Sequence, residues 1–145
     1  MAENLLFWFI QLPGWALFLY LAYAQCPAAI RYEWGVLLGT QEPEALITPV
    51  GRAFWWGLAL ADLVFYTPLL GLGLAGQALG TGWAVPVLAA ALGVTVYWPI
   101  ASLATVAAAR GAPGWSLPKE RDYWIVLPIM TGWAGLALLG LVLLA

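Results

Sequence analysis

Histidine is missing from all 145 residues, which removes imidazole ligands for haem, zinc or copper and the commonest general base. Cysteine occurs once, at Cys26, so neither an internal disulfide nor a CxxC redox pair can form. Charge is nearly as scarce. Asp, Glu, Lys and Arg make up 8% of the chain, where a soluble domain carries roughly a quarter. With 64% of its residues hydrophobic, the chain cannot wet a surface on all sides, and lipid becomes the expected solvent. Five basic residues form no stripe, so nucleic acid is not an expected partner.

Chemical motifs are lacking too. There is no Gly-rich phosphate loop, GxSxG elbow or HExxH pair. No His or Cys cluster suggests a metal site, no cofactor motif is present, and a nucleophilic serine would have no imidazole beside it. Membrane-embedded enzymes bring several titratable groups together within the bilayer, and here a single one lies well inside a span. No catalytic residue is assigned.

What is present is four apolar stretches, at about Leu5–Ala29, Ala53–Ala75, Trp83–Ala109 and Tyr123–Leu144. Each reaches the roughly 20 residues that a helix needs to cross a bilayer. None alternates apolar with polar residues as a transmembrane strand does. The expected fold is an all-α integral membrane protein: one transmembrane domain over residues 1–145, a four-helix bundle with proline-kinked helices. Ala22-Tyr23-Ala24 looks like a signal-peptide cleavage site, but no Lys or Arg precedes the first span and its apolar region is too long. It is therefore expected to remain as a helix.

Orientation follows from the basic residues. Arg31 and Arg52 flank the first connection, and Arg110, Lys119 and Arg121 lie in the third. These two connections share one side of a four-span chain. The positive-inside rule makes that side the cytoplasm and puts both termini opposite, in a cell (inner) membrane. Tryptophan placement agrees. Of ten tryptophans, Trp34, Trp55, Trp56, Trp115 and Trp124 fall at the expected cytoplasmic boundary, and Trp8 and Trp83 at the outer one. Trp15, Trp98 and Trp133 do not fit these belts.

Pro13, Pro68, Pro86, Pro99 and Pro128 fall within the spans, where each removes a backbone donor and favours a kink. Gly57 with Ala61, and Gly71 with Ala75, have the small-xxx-small spacing that lets helices approach closely in lipid. Arg52 to Trp55 and Arg121 to Trp124 open the second and fourth spans with similar residues, but too little else matches for a repeat.

Asp62 is the one ionisable acid or base deep in a span, ten residues or about 15 Å beyond Arg52. A charge at that depth costs at least about 2.5–3.5 kcal/mol and commonly marks a functional locus facing the bundle interior. Thr95, Trp98, Ser102 and Thr105 share one face of the third span, with Trp98 and Ser102 level with Asp62. Tyr20, Thr131 and Trp133 come out at similar depth, and Tyr66 follows Asp62 by one turn. Asp62, Tyr66, Trp98, Ser102, Thr131, Trp133 and Tyr20 are the expected ligand- or ion-binding set. The competing expectation is that Asp62 is interhelical glue.

A second candidate is the cytoplasmic surface carrying Arg31, Glu33, Glu42, Glu44, Arg52 and Arg121, as a headgroup- or partner-binding rim. Thr40 is expected to cap a short helix from Pro43 to Ile47 ended by Pro49, and Ser116 to cap the last helix. The favoured function is non-enzymatic: helix packing or apolar ligand binding, as an accessory subunit in a membrane complex. Lipid and a homo-oligomer or other membrane subunits would be the partners, with an apolar ligand between the helices. The alternatives are a small proton- or cation-coupled transporter or channel using Asp62, and a membrane-embedded enzyme acting on lipid.

Overall fold

The computed structural model describes residues 2–144, with side chains over residues 4–143. The described chain is all helix and turn, without strands, and four of its helices are long and apolar enough to cross a membrane. They are α1 (Ala2–Ile30), a second rod built of α3 (Glu44–Ala61), a π turn (Asp62–Tyr66) and α4 (Thr67–Ala78), then α5 (Ala84–Ala109) and α6 (Glu120–Leu144). A short α2 (Tyr32–Leu37) lies between the first two rods.

The second rod begins earlier than its apolar run suggests. Thr48 has φ 67°, which breaks the helical ladder within α3. Its Oγ1 accepts a hydrogen bond from the Gly51 amide at 3.3 Å, and Pro49 takes the first helical position. Thr48 is therefore the N-cap of a helix continuing to Ala78 and Pro49 opens it, the place where proline's fixed φ and missing N–H suit a helix best. The short helix before the break starts at Glu44, behind an N-cap at Pro43. Thr40 does not cap it, because its hydroxyl bonds back to the Gly35 carbonyl at 3.1 Å. Nor is Ser116 the cap of α6, which begins four residues later at Glu120; the Ser116 amide donates to the Leu46 carbonyl at 2.7 Å.

That last bond joins the two connections at the arginine-bearing end. Tyr32, Ile47, Trp55, Val106 and Leu117 form a small core there, with Trp115 packed against it. Gly51 makes room for it, since a Cβ at that position would lie 2.9 Å from the Trp115 ring. The main core runs through the other half of the bundle, where Ile10, Leu21, Leu70, Leu74, Leu88 and Leu92 are completely buried.

α5 packs extensively on both α4 and α6, whereas α1 touches α6 much less. The contacts between α1 and α6 include a close one near the amino end of α1, where Leu6 sits over Gly140. Trp133 Nε1 donates to the Phe9 carbonyl at 2.8 Å. Towards the arginine-bearing end a groove lies between the two helices. Of the small-residue pairs, Gly71 does admit a close neighbour, the Phe18 ring, while Gly57 faces open space.

Candidate functional site

The groove between α1 and α6 has a volume of about 360 Å³ and almost wholly apolar walls. Pro13, Ala16 and Tyr20 come from α1, Ile129 and Met130 from α6, and Trp98 of α5 also lines it. A second chamber, of about 270 Å³, shares Tyr20, Trp98, Val126 and Leu127 with the first and continues towards the arginine-bearing end. Its walls are polar there: Gln25, Gln41, Glu42, Lys119 and Asp122. A recess of about 30 Å³ shares Gln25, Gln41, Trp55 and Trp98 with that chamber and reaches Asp62. The three spaces form one cleft with a pronounced polarity gradient, and Trp98 lines all of them.

Loop folding builds the polar part. The segment after α2 turns back under the bundle, with Gly39 at φ 71° and the Thr40 and Gln41 amides both bonded to the Gly35 carbonyl. Tyr32 Oη donates to the Glu42 carbonyl at 2.9 Å and holds the returning strand of chain. Gln41 is thereby brought beside α1, where its Nε2 donates to Gln25 Oε1 at 3.1 Å. Gly35 is what permits this, because a Cβ there would lie 2.6 Å from Gln41 Cγ and 2.8 Å from Ala28 Cβ.

Asp62 is 7% exposed, and its side chain makes no hydrogen bond or ion pair among the described residues. The indole N–H groups of Trp55 and Trp98, which line the same recess, are buried without partners as well. Unpartnered buried polar groups are uncommon and each calls for an explanation, such as a reactive role or a bound water or ion; Thr67, Ser102 and Trp115 carry others away from the recess. Gln11 shows the contrasting, structural use of a polar side chain in this bundle. It is 4% exposed; its Nε2 donates to the Leu74 carbonyl and to Gln77 Oε1, and its Oε1 accepts from Trp15 Nε1. Gln11 is the interhelical glue; Asp62 is not bonded in that way.

The residues expected to surround Asp62 are only partly gathered there. Trp98 is beside it, and Tyr20 and Trp133 line the groove that Trp98 also borders. Tyr66 does not line the recess. Its Oη lies 2.5 Å from Thr95 Oγ1, and since that hydroxyl already donates to the Ala91 carbonyl, Tyr66 is the donor. The cause is the π turn, in which the Thr67 amide bonds to the Asp62 carbonyl five residues back. More than four residues complete that turn, which shifts Tyr66 around the helix axis relative to its place in an uninterrupted α-helix. Ser102 is fully buried, lacks a partner and lies away from the cleft. Thr131 bonds the Leu127 carbonyl of its own helix and does not line the cleft either. Depth along the helices places Ser102 and Thr131 near the level of Asp62, but level says nothing about which way a side chain faces.

The charged rim is divided. Arg52 bridges Glu33 at 2.7 Å and Glu44 at 3.5 Å, and Arg31 approaches Glu33 at 3.6 Å. The hydrogen bond from Arg52 holds the Glu33 carboxyl below its ordinary range. Glu42 stands apart from this network and lines the cleft, and Arg121 makes no ion pair among the described residues. Gln25, Gln41, Trp55, Lys119, Asp122 and Tyr123 line the cleft without having been among the residues expected from the sequence. Gln25 offered a signal as a lone amide near the end of the first apolar run; Gln41 offered none, being drawn in only by the folded loop. No described group of three or more Cys, Asp or Glu side chains is placed to hold a metal ion. Comparison with protein-family models, curated proteins and solved structures finds no match to this chain.

Proposed function

We propose that this chain is a multi-pass membrane protein that binds an amphipathic or apolar ligand in the cleft between α1 and α6. The observation that carries the reading is the cleft's polarity gradient along the helix axes. It is apolar at Pro13, Ala16, Ile129 and Met130, and polar at Gln41, Lys119 and Asp122. A lipid or lipid-like molecule has the same gradient, and a groove open between two helices admits an acyl chain sideways from the bilayer. Ligand sites commonly lie between helices of bundles and combine mostly apolar walls with a few polar groups.

Placing the chain in a bilayer orients the cleft. All five basic residues lie in or beside the connections at one end, and the positive-inside rule makes that end cytoplasmic. The polar mouth then lies at the cytoplasmic headgroup level, and both termini lie on the other side. Transport through one copy is disfavoured by the packing beyond Asp62. There Tyr66, Leu70, Leu74, Leu88 and Leu92 are almost completely buried and fill the bundle. Binding without passage suits an accessory subunit or a lipid-sensing protein better.

The test is photolabelling in liposomes with a diazirine-bearing alkyl probe. Labels are expected on the peptides spanning 13–20 and 126–133, and Ala16→Trp, which fills the groove, is expected to abolish them. Labelling that simply follows exposure, as at Val64, Leu79 and Val142, and is unchanged by Ala16→Trp, would overturn the reading.

A further inference from the structure

The ionisable side chains are sorted by place. Arg31, Arg52 and Arg110 pair with Glu33, Glu44 and Glu120, all outside the cleft. The other described acids, Glu42, Asp62 and Asp122, form no ion pair among the described residues, and all three line the cleft. A single base, Lys119, shares the rim with them. Asp62 adds an independent sign of a ligand, being 93% buried (7% exposed), without a hydrogen-bond partner, and directed at the recess. Trp55 and Trp98 line that recess with it, and Tyr20 and Tyr123 line the adjoining chamber, the Trp55 and Tyr123 rings lying 5.9 Å apart.

Carboxylates and aromatic faces are both electronegative, so the field in the chamber favours a positive group. A metal ion is a poor match, because the described carboxylates do not converge in a ligating cluster. An anion would meet three acids against one lysine. We infer that the cleft takes an organic cation, an amphiphile whose ammonium is held at the recess by Asp62 with Trp55 and Trp98, in the field of Glu42 on the rim, while its chain lies in the groove between α1 and α6. This rests on the ligand-binding reading above. The ammonium belongs to a free alkylamine or to a lipid headgroup such as phosphatidylethanolamine, whose phosphate would meet Lys119.

The experiment compares three ten-carbon probes on the full chain in maltoside micelles: decylammonium, decanol and decanoate. Decylammonium is expected to bind about tenfold or more tightly than decanol, with decanoate weakest. Asp62→Asn, which keeps the side chain's shape, and Glu42→Gln on the rim should each move decylammonium towards decanol. Glu44→Gln, outside the cleft, should not. Competition by phosphatidylethanolamine over phosphatidylglycerol assigns the cation to a headgroup, and its absence assigns it to a free amphiphile. Equal binding of all three probes overturns the inference and leaves the ligand-binding cleft standing. Failure of all three to bind overturns both. If Asp62→Asn does not fold, preference for decylammonium unchanged in Glu42→Gln overturns the role of the rim.

Discussion

Gly35→Ala separates the proposed loop architecture from a passive surface connection. The added methyl would lie 2.8 Å from Ala28 Cβ, part of a helix, and 2.6 Å from Gln41 Cγ. Ordinary carbon contacts begin near 3.5 Å, so relief requires movement of about 0.7–0.9 Å. Ala28 is completely buried and has little freedom, whereas the Gln41 side chain and its loop can swing outwards. Overpacking of this kind costs about 1–3 kcal/mol. It should also break the bond between Gln41 and Gln25 and widen the recess below Asp62. Unfolding by denaturing detergent, followed by circular dichroism, measures the first effect. Thiol labelling of Gln41→Cys, with and without Gly35→Ala, measures the second. Gly57→Ala is the control: no atom lies within 4 Å of its new Cβ, so stability is expected to hold or rise by up to about 1 kcal/mol. Equal stability of Gly35→Ala and Gly57→Ala, with Gln41→Cys equally protected in both backgrounds, would refute the folded-back loop.

Two more predictions concern polar groups with defined partners. Gln11→Leu removes an interhelical hub and should cost about 0.6–2 kcal/mol in the same unfolding assay, while Thr131→Val, whose hydroxyl bonds only its own helix, should be near neutral. Glu33 has a lowered folded-state pKa, chiefly through its hydrogen bond from Arg52. Its contribution is therefore present above the ordinary carboxyl pKa of 4.5 and is lost as pH falls through the lower folded value. NMR titration of the Glu33 carboxyl should show that displacement, and Arg52→Gln should largely remove it.

Long apolar runs made the four helices legible, because a 20-residue oily stretch has few other ways to satisfy its backbone. Their ends were harder. Thr48 and Pro49 resemble a helix stop as readily as a start, and the cap formed by Thr48 Oγ1 decides between them. Asp62 and Trp98 were legible as a pair, since depth along each helix brings them level and both face inward. Tyr66, Ser102 and Thr131 were not, because a π turn and helix rotation set the azimuth that depth leaves open. Gln41 depends on tertiary contact at Gly35, and no local pattern announces it.

The most direct test is an experimental structure of the chain in lipid nanodiscs. An occupied cleft predicts elongated density between α1 and α6, lying along Ala16 and Met130 and ending in a polar head beside Gln41 and Asp62. α1 closed against α6 along its whole length, with Tyr20 packed on Ile129 and Asp62 sealed by protein, would contradict it.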